Sequence, residues 1–272
     1  MTYQCPVCQG ALTLDAHSYC CAKGHRFDCA KEGYVNLLPV NKKKSKDPGD
    51  NKAMIFARRA FLSAGFYQHL SERINQLAEQ WQPEASTILD LGCGEGYYSH
   101  RLFQSLTAEP RQLFGLDISR SAIRYAAKRY PELKFCVASA YEMPFVSNRF
   151  DLALRVYAPS KEAELARVMA DKGILITVSP GPTHHYAIKE LIYAHPRLHG
   201  DKGQELSGFV RVHQERLCSE LVLPAGEMVG HFLEMTPYAW KLTAEQKGNL
   251  VANGLKCELD FLIEIHQKHN QM

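Results

Sequence analysis

Between residues 87 and 178 short apolar runs alternate with segments of helical spacing, and this alternation constrains the fold more than any other feature. The runs fall at 87–91, 112–116, 134–138, 150–155 and 173–178, too far apart for hairpins. A chain that leaves a strand through a helix re-enters the sheet as a second strand parallel to the first, so the pattern predicts an α/β fold: a parallel sheet with helices on both faces. Helices are predicted at about 97–106, from Ser119 to Tyr130, and at about 160–169. In the second of these the Ser119 hydroxyl is an N-cap, and Ile123, Ala126, Ala127 and Tyr130 share a face. Upstream, Leu70, Ile74, Leu77 and Trp81 recur at spacings of 4, 3 and 4, a helix with one apolar stripe. Asp50 is placed to cap the helix that follows it. Residues 180–250 are less regular, and 259–265 reads as a late strand added antiparallel at the sheet edge.

The first strand runs into Asp90-Leu91-Gly92-Cys93-Gly94-Glu95-Gly96 at a strand-to-helix junction. Glycines there permit a tight turn and close backbone approach by a ligand. Asp117 closes the next strand, where a carboxylate can bridge the two ribose hydroxyls of an adenosine. Dinucleotide loops run G-x-G-x-x-G and lay a pyrophosphate on the helix N-terminus. Here the spacing is G-x-G-x-G, and Asp90 stands two residues before the first glycine. That carboxylate would repel a pyrophosphate but could hold the ammonium of a methionine moiety. The charge pattern therefore favours S-adenosylmethionine over a dinucleotide.

Five of the nine cysteines, Cys5, Cys8, Cys20, Cys21 and Cys29, fall in the first 30 residues. The start of the chain lacks the basic-then-apolar pattern of a secretory signal, and a cytoplasmic location is expected. Thiols there stay reduced, so clustered cysteines point to metal rather than disulfides. Cys5-Pro6-Val7-Cys8 and Cys21-Ala22-Lys23-Gly24-His25 supply C-x2-C and C-x3-H. The set Cys5, Cys8, Cys21 and His25 would close a tetrahedral Cys3His shell around a structural zinc, with Cys20 the rival for the third place. Structural zinc supplies about 10–16 kcal/mol in finger peptides, which a 35-residue segment could not draw from its own core. Cys93, Cys136, Cys218 and Cys257 are expected as small buried side chains.

No run of about 18 apolar residues exists, so no membrane span is expected. A net charge of +3 falls short of a dedicated nucleic-acid binder, so any RNA contact must concentrate its charge on one face. Two basic features compete for that role. The 42–46 lysine run adjoins the zinc candidate, and Arg120, Arg124 and Lys128 form a helix stripe read as a solvated face.

The glycine loop, Asp117, the run from Ala138 to Phe145 and the turn Asp171-Lys172-Gly173 resemble class I methyltransferase motifs in their usual order. The flanks narrow the resemblance: the Cys5-to-His25 segment, Lys31-Glu32-Gly33-Tyr34-Val35-Asn36-Leu37-Leu38, Asp47-Pro48-Gly49-Asp50 and Ala57-Arg58-Arg59-Ala60-Phe61-Leu62. Together with Arg155-Val156-Tyr157-Ala158-Pro159 and Ser179-Pro180-Gly181-Pro182 they are similar to the bacterial 23S rRNA (guanine-N1)-methyltransferases, relatives of the macrolide-resistance rRNA methyltransferases, over nearly the entire chain. The resemblance implies a Rossmann-like class I methyltransferase domain (51–272) preceded by a zinc-binding module (1–38) and a basic linker (39–50). It implies methylation of guanine N1 in a hairpin loop of 23S rRNA domain II, by a homodimer whose zinc modules help form an RNA cleft. The cofactor contacts it implies are Tyr67, the loop from Asp90, Gly92 and Gly94 through Ser99 and His100, Asp117, and His184. The doublet His184-His185 leaves open which imidazole faces the cofactor.

Guanine N1 carries a proton at neutral pH that must leave during or before attack. Glu142, His184 and His185 are the candidate bases, and Tyr157 could stack a flipped-out base. Two rival readings remain: a small-molecule methyltransferase whose zinc module only covers its site, and a non-catalytic RNA-binding protein.

Overall fold

The computed structural model describes residues 2–42, 48–200 and 203–269. Of the lysine run, Lys43, Lys44 and Lys46 lie outside the described residues, as does Asp47. A small antiparallel sheet comes first, built from β1 (Thr13–Asp15), β2 (Ser18–Cys20) and β3 (Arg26–Asp28). The chain continues as β4 (Val35–Asn36), α1 (Lys52–Ser63), α2 (Gln68–Trp81), β5 (Thr87–Leu91), α3 (Tyr97–Ser105), β6 (Gln112–Asp117), α4 (Arg120–Arg129) and β7 (Lys134–Val137). It ends with β8 (Phe150–Val156), α5 (Glu162–Val168), β9 (Met169–Pro180), α6 (Tyr186–Ile192), β10 (Phe209–Leu223), α7 (Glu227–Glu234), α8 (Ala244–Asn253) and β11 (Leu255–Lys268).

Among the described residues the large sheet has the order β10-β11-β9-β8-β5-β6-β7-β4. The strands from β9 to β4 in that order run parallel, and β11 and β10 are antiparallel additions. Strand β5 has β6 on one side and β8 on the other, so the crossovers depart in opposite directions there. A crevice opens at the carboxyl end of such a strand, outside Asp90 and Leu91. The late strand is antiparallel as expected, but it lies between β9 and β10, and β10 takes the edge. The period-2 pattern of 259–265 specifies a strand without specifying its neighbours.

Side chains alternate across the sheet as strand geometry requires. Ile88, Leu113, Leu152, Leu154 and Ile176 face a core shared with Phe61, Leu70, Ile74, Leu102, Ile123 and Phe232, from the helices of that face. Leu89, Leu91, Phe114, Leu116, Ala153 and Leu175 face the other way. Helices lie on both faces as expected, and on the second face α5 shares the cover with the N-terminal segment: Tyr3, Cys5, Leu12 and Cys21 pack there with Leu165 and Val168. Tyr3 stacks on Phe145 at 5.5 Å and bridges to it through the backbone, while β4 extends the sheet beyond β7. The cysteine-rich segment therefore does the covering that further crossover helices would otherwise do.

Two local expectations are corrected. Asn51, not Asp50, caps α1, its side chain accepting from the Met54 N–H at 3.0 Å, while Asp50 pairs with Arg58. The α4 stripe is not a plain solvated face: Arg124 Nε donates to Glu32 at 2.8 Å and Arg120 Nε to the Tyr34 hydroxyl at 3.1 Å, tying α4 to the N-terminal segment. Ser119 caps α4 as read, accepting from the Ala122 N–H. Cys93, Cys136 and Cys257 are buried, but Cys218, on the edge strand, is exposed. No described helix is long and apolar enough to cross a membrane.

Candidate active site and metal centre

The N-terminal ligand candidates converge. Cys5, Cys8, Cys21 and His25 place one donor atom each within 4.8 Å of one another. Sγ of Cys8 and Cys21 are 3.6 Å apart, and Nδ1 of His25 is 3.6 Å from Cys5 Sγ and 3.3 Å from Cys21 Sγ. A tetrahedral zinc with ordinary bond lengths needs S···S near about 3.8 Å and S···N near about 3.6 Å. The donor set fits, and four protein donors would leave no open position for a reacting water. Cys21 stands in this set and Cys20 does not.

The crevice at β5 opens into a cavity of about 700 Å³. One half is made by the glycine loop, Asp90, Asp117 and Arg58. Gly92 has φ +69, and a Cβ there would lie 2.5 Å from that of Ala158. Only glycine permits that approach. Asp117 accepts from the backbone N–H groups of Gly94 at 3.0 Å and Ser119 at 2.7 Å, so its carboxylate fixes the loop it faces. Asp90 is 2% exposed and accepts from the Ser99 hydroxyl at 2.5 Å. Burial pushes its carboxyl up to about 7, against that hydrogen bond and with the help of the Asp117 charge. A cation placed beside this carboxylate would favour its ionised form against the desolvation.

Aromatic rings and imidazoles make the other half: Tyr67, Tyr157, His184, His185, His199 and Tyr238. The His184-His185 doublet is held by β11, because the Asp260 N–H donates to His184 Nδ1 at 3.1 Å and the His185 N–H donates to Glu258 O at 2.9 Å. The rings lie 3.7 Å apart. His184 Nε2 is 3.2 Å from the Tyr157 hydroxyl and His185 Nε2 is 3.1 Å from the Tyr67 hydroxyl. Since Nδ1 of His184 accepts, its neutral ring carries the proton on Nε2 and donates to Tyr157. Burial pushes His184 down to about 3, with His199 adding to it, and pushes His185 well below its ordinary value. Tyr157 sits at φ +53, a conformation rare for an aromatic residue, with its N–H on Val178 O at 3.0 Å.

Tyr67, Asp90, Gly92, Gly94, Asp117 and His184 are thus brought to one cavity. Ser99 and His100 are not among its walls. Ser99 reaches it only through Asp90, and His100 stacks on Tyr130 at 4.3 Å with Glu132 3.3 Å away. Glu142 pairs with Lys42 and does not line the cavity. Several residues went unread. Arg58, His199 and Tyr238 line the walls, and Asp260 holds the floor, accepting from the Thr183 N–H and hydroxyl at 2.9 Å each and from Arg216. A carboxylate between Leu259 and Phe261 in an apolar strand was the available signal for Asp260.

Comparison with known proteins bears on the fold and on the cysteine-rich segment. A methyltransferase-domain family model matches residues 83–221, and a zinc-ribbon family described as RlmA, N-terminal, matches residues 3–46. A Bacillus subtilis protein whose name places it provisionally among the 23S rRNA (guanine-N1)-methyltransferases is 31% identical, over 88% of this chain and 86% of its own. The chain belongs to the 23S rRNA (guanine-N1)-methyltransferase family. A second member, the 23S rRNA (guanine(748)-N(1))-methyltransferase of Streptomyces fradiae, is 29% identical over 92% of this chain and 89% of its own. A Micromonospora griseorubida relative named for the same activity is 31% identical over 66% of each chain. As a methyltransferase of this family the chain uses S-adenosylmethionine, whose sulfonium supplies the methyl group, and carries a structural zinc.

Proposed function

We propose that the chain methylates N1 of a guanine in a hairpin loop of 23S rRNA domain II, in the cytoplasm and as a homodimer. The observation that carries this reading is one cavity shared by an acidic glycine-loop half and an aromatic half, in a chain related over about nine-tenths of its length to proteins named for 23S rRNA guanine-N1 methylation. Asp90 takes the ammonium of the methionine moiety and Asp117 the ribose hydroxyls. Tyr67 and His184 border the transfer point, Ser99 positions Asp90, and the His100 backbone belongs to the same turn. Zinc is held by Cys5, Cys8, Cys21 and His25 in a module of residues 1–38, with 39–50 as the linker to a methyltransferase domain of 51–272.

In the aromatic half, the Tyr157 ring, 44% exposed, offers a face to a flipped-out guanine. Its hydroxyl accepts from His184 and so keeps its own hydrogen for guanine O6, where charge gathers as the N1 proton leaves. Burial holds this hydroxyl protonated. Neither His184, with both nitrogens committed, nor the ion-paired Glu142 is placed to take the N1 proton. Tyr157 and His184 orient the base and stabilise O6, and the N1 proton passes to solvent. The test is mass mapping of methylated guanines in 23S rRNA from cells with and without the gene. One guanine that gains N1-methylation only with the gene is expected; identical maps would refute the reading.

A further inference from the structure

The acceptor half of the cavity opens beside a surface the chemistry above does not use. Pro237 and Tyr238 line the cavity and begin a 3-10 helix that ends at Trp240. Tyr238 is buried, its ring 5.7 Å from His185, whereas Trp240, two residues on, is 73% exposed. Trp is highly buried on average, and here the exposed indole belongs with a second exposed aromatic, Tyr193. The support beneath it is rigid: the Lys241 and Leu242 N–H groups both donate to Tyr238 O, at 3.0 and 3.1 Å. Gln246 Nε2 on α8 donates to Leu191 O at 2.7 Å, joining this helix to the end of α6.

Just past α6, exposed Tyr193 lies under Lys241, whose Nζ is 5.2 Å from its ring centroid. The segment continues to His199, back in the cavity wall, and is fixed on the way by Lys189 Nζ on Arg197 O at 3.2 Å and by the His199 N–H on Pro182 O at 3.0 Å. Residues 193–199 and 237–241 carry two cations, Arg197 and Lys241, and no carboxylate. Exposed aromatics set among cations of one sign suit single-stranded nucleic acid, where bases stack and phosphates pair. A protein partner would demand a surface with acidic complementarity of its own.

The geometry points to this rim, centred on Trp240 with Tyr193, Lys241 and Arg197, as the platform on which a loop nucleotide flanking the target guanine stacks. The inference rests on the rRNA reading and adds where the strand leaves the cavity.

Tryptophan fluorescence tests it, because the chain has only Trp81 and Trp240. In a Trp81→Phe protein with S-adenosylmethionine bound, titration with a transcript of a 23S rRNA domain II hairpin should quench the remaining indole. Filter binding in parallel should show Trp240→Ala binding that RNA about ten- to a hundredfold more weakly, with Trp240→Phe close to the parent. Cofactor affinity by calorimetry should be the same in all three proteins, which separates a lost platform from a lost fold. Lys241→Ala should lower the salt slope of RNA binding by about one. RNA bound with an unquenched Trp240, and equal affinity in Trp240→Ala, would overturn the platform and leave the rRNA reading standing. No RNA binding by the parent protein would overturn both.

Discussion

Lowering the pH from 7 to 5 should weaken S-adenosylmethionine binding through Asp90. In the free protein burial raises this carboxyl to about 7, with the Asp117 charge acting in the same direction and the Ser99 hydroxyl opposing. An ammonium bound against it favours the ionised form, so binding must expel whatever proton Asp90 holds, and affinity falls as pH falls. With the carboxyl at about 7, affinity drops about fivefold from pH 7 to 6 and a further factor of about ten by pH 5, each tenfold being about 1.4 kcal/mol. The ligand's own amino group, with a pKa of roughly 7.7–8.0, is mostly protonated at pH 7 and more fully so below it. His184, pushed down to about 3 by burial, does not titrate in this window, and burial lowers His185 in the same direction. Glu95, raised to about 7 by burial and opposed by Arg129, does titrate there and calls for a control. Titration calorimetry in buffers of different ionisation heat should show about half a proton released per cofactor at pH 7. Asp90→Asn should bind weakly with a flat profile. An unchanged affinity from pH 7 to 5 in the parent would refute the assignment, and a slope surviving in Asp90→Asn would transfer it to Glu95 or to Asp117, which burial also raises.

Three further outcomes are expected. Asp260→Ala removes a carboxylate that accepts from Arg216 and Thr183 and loosens the turn before His184, costing about 3 kcal/mol in urea unfolding, since Arg216 is itself half exposed; a loss below about 1 kcal/mol would show the backbone contacts hold the turn without it. Cys21→Ser should abolish zinc retained through dialysis while Cys20→Ser keeps about one ion per chain, as read by elemental analysis, and the reverse result would exchange the two ligands. Gly92→Ala, with a clash at 2.5 Å and a left-handed backbone, should weaken cofactor binding at least about tenfold; calorimetry showing an unaltered affinity would mean that Ala158 yields.

What the sequence disclosed depends on how local each feature's cause is. The parallel strands from β5 to β9 and helices α2 to α5 follow from runs whose pattern is set by burial against immediate neighbours, and they stand within a few residues of the expected limits. The edge strand β10 was not legible. Its fifteen residues lie mostly half-buried or exposed, so no apolar face repeats along them, and pairing with β11 alone defines it. The cysteine ligands were legible for the opposite reason, since two short knuckles carry the whole donor set.

The floor of the acceptor half shows why the rest of the site was not. Along β11, Leu259, Phe261, Ile263 and Ile265 alternate with Glu258, Asp260, Leu262, Glu264 and His266, and an alternating strand ordinarily turns its polar face to water. Asp260, Glu264 and His266 are nonetheless buried. Gly181 makes room for Asp260, whose carboxylate oxygen would sit 2.2 Å from any Cβ there, and Thr183 and Arg216 complete its hydrogen bonds. Gly203 does the same for Glu264, which accepts from the Gln204 N–H and from Arg211. Each carboxylate is thus enclosed by a loop and an edge-strand arginine that lie 44 to 77 residues away along the chain. A pattern read over ten residues registers a polar side chain but not the cover that desolvates it. Asp260 orders His184, and through it Tyr157, by contacts of that distant kind.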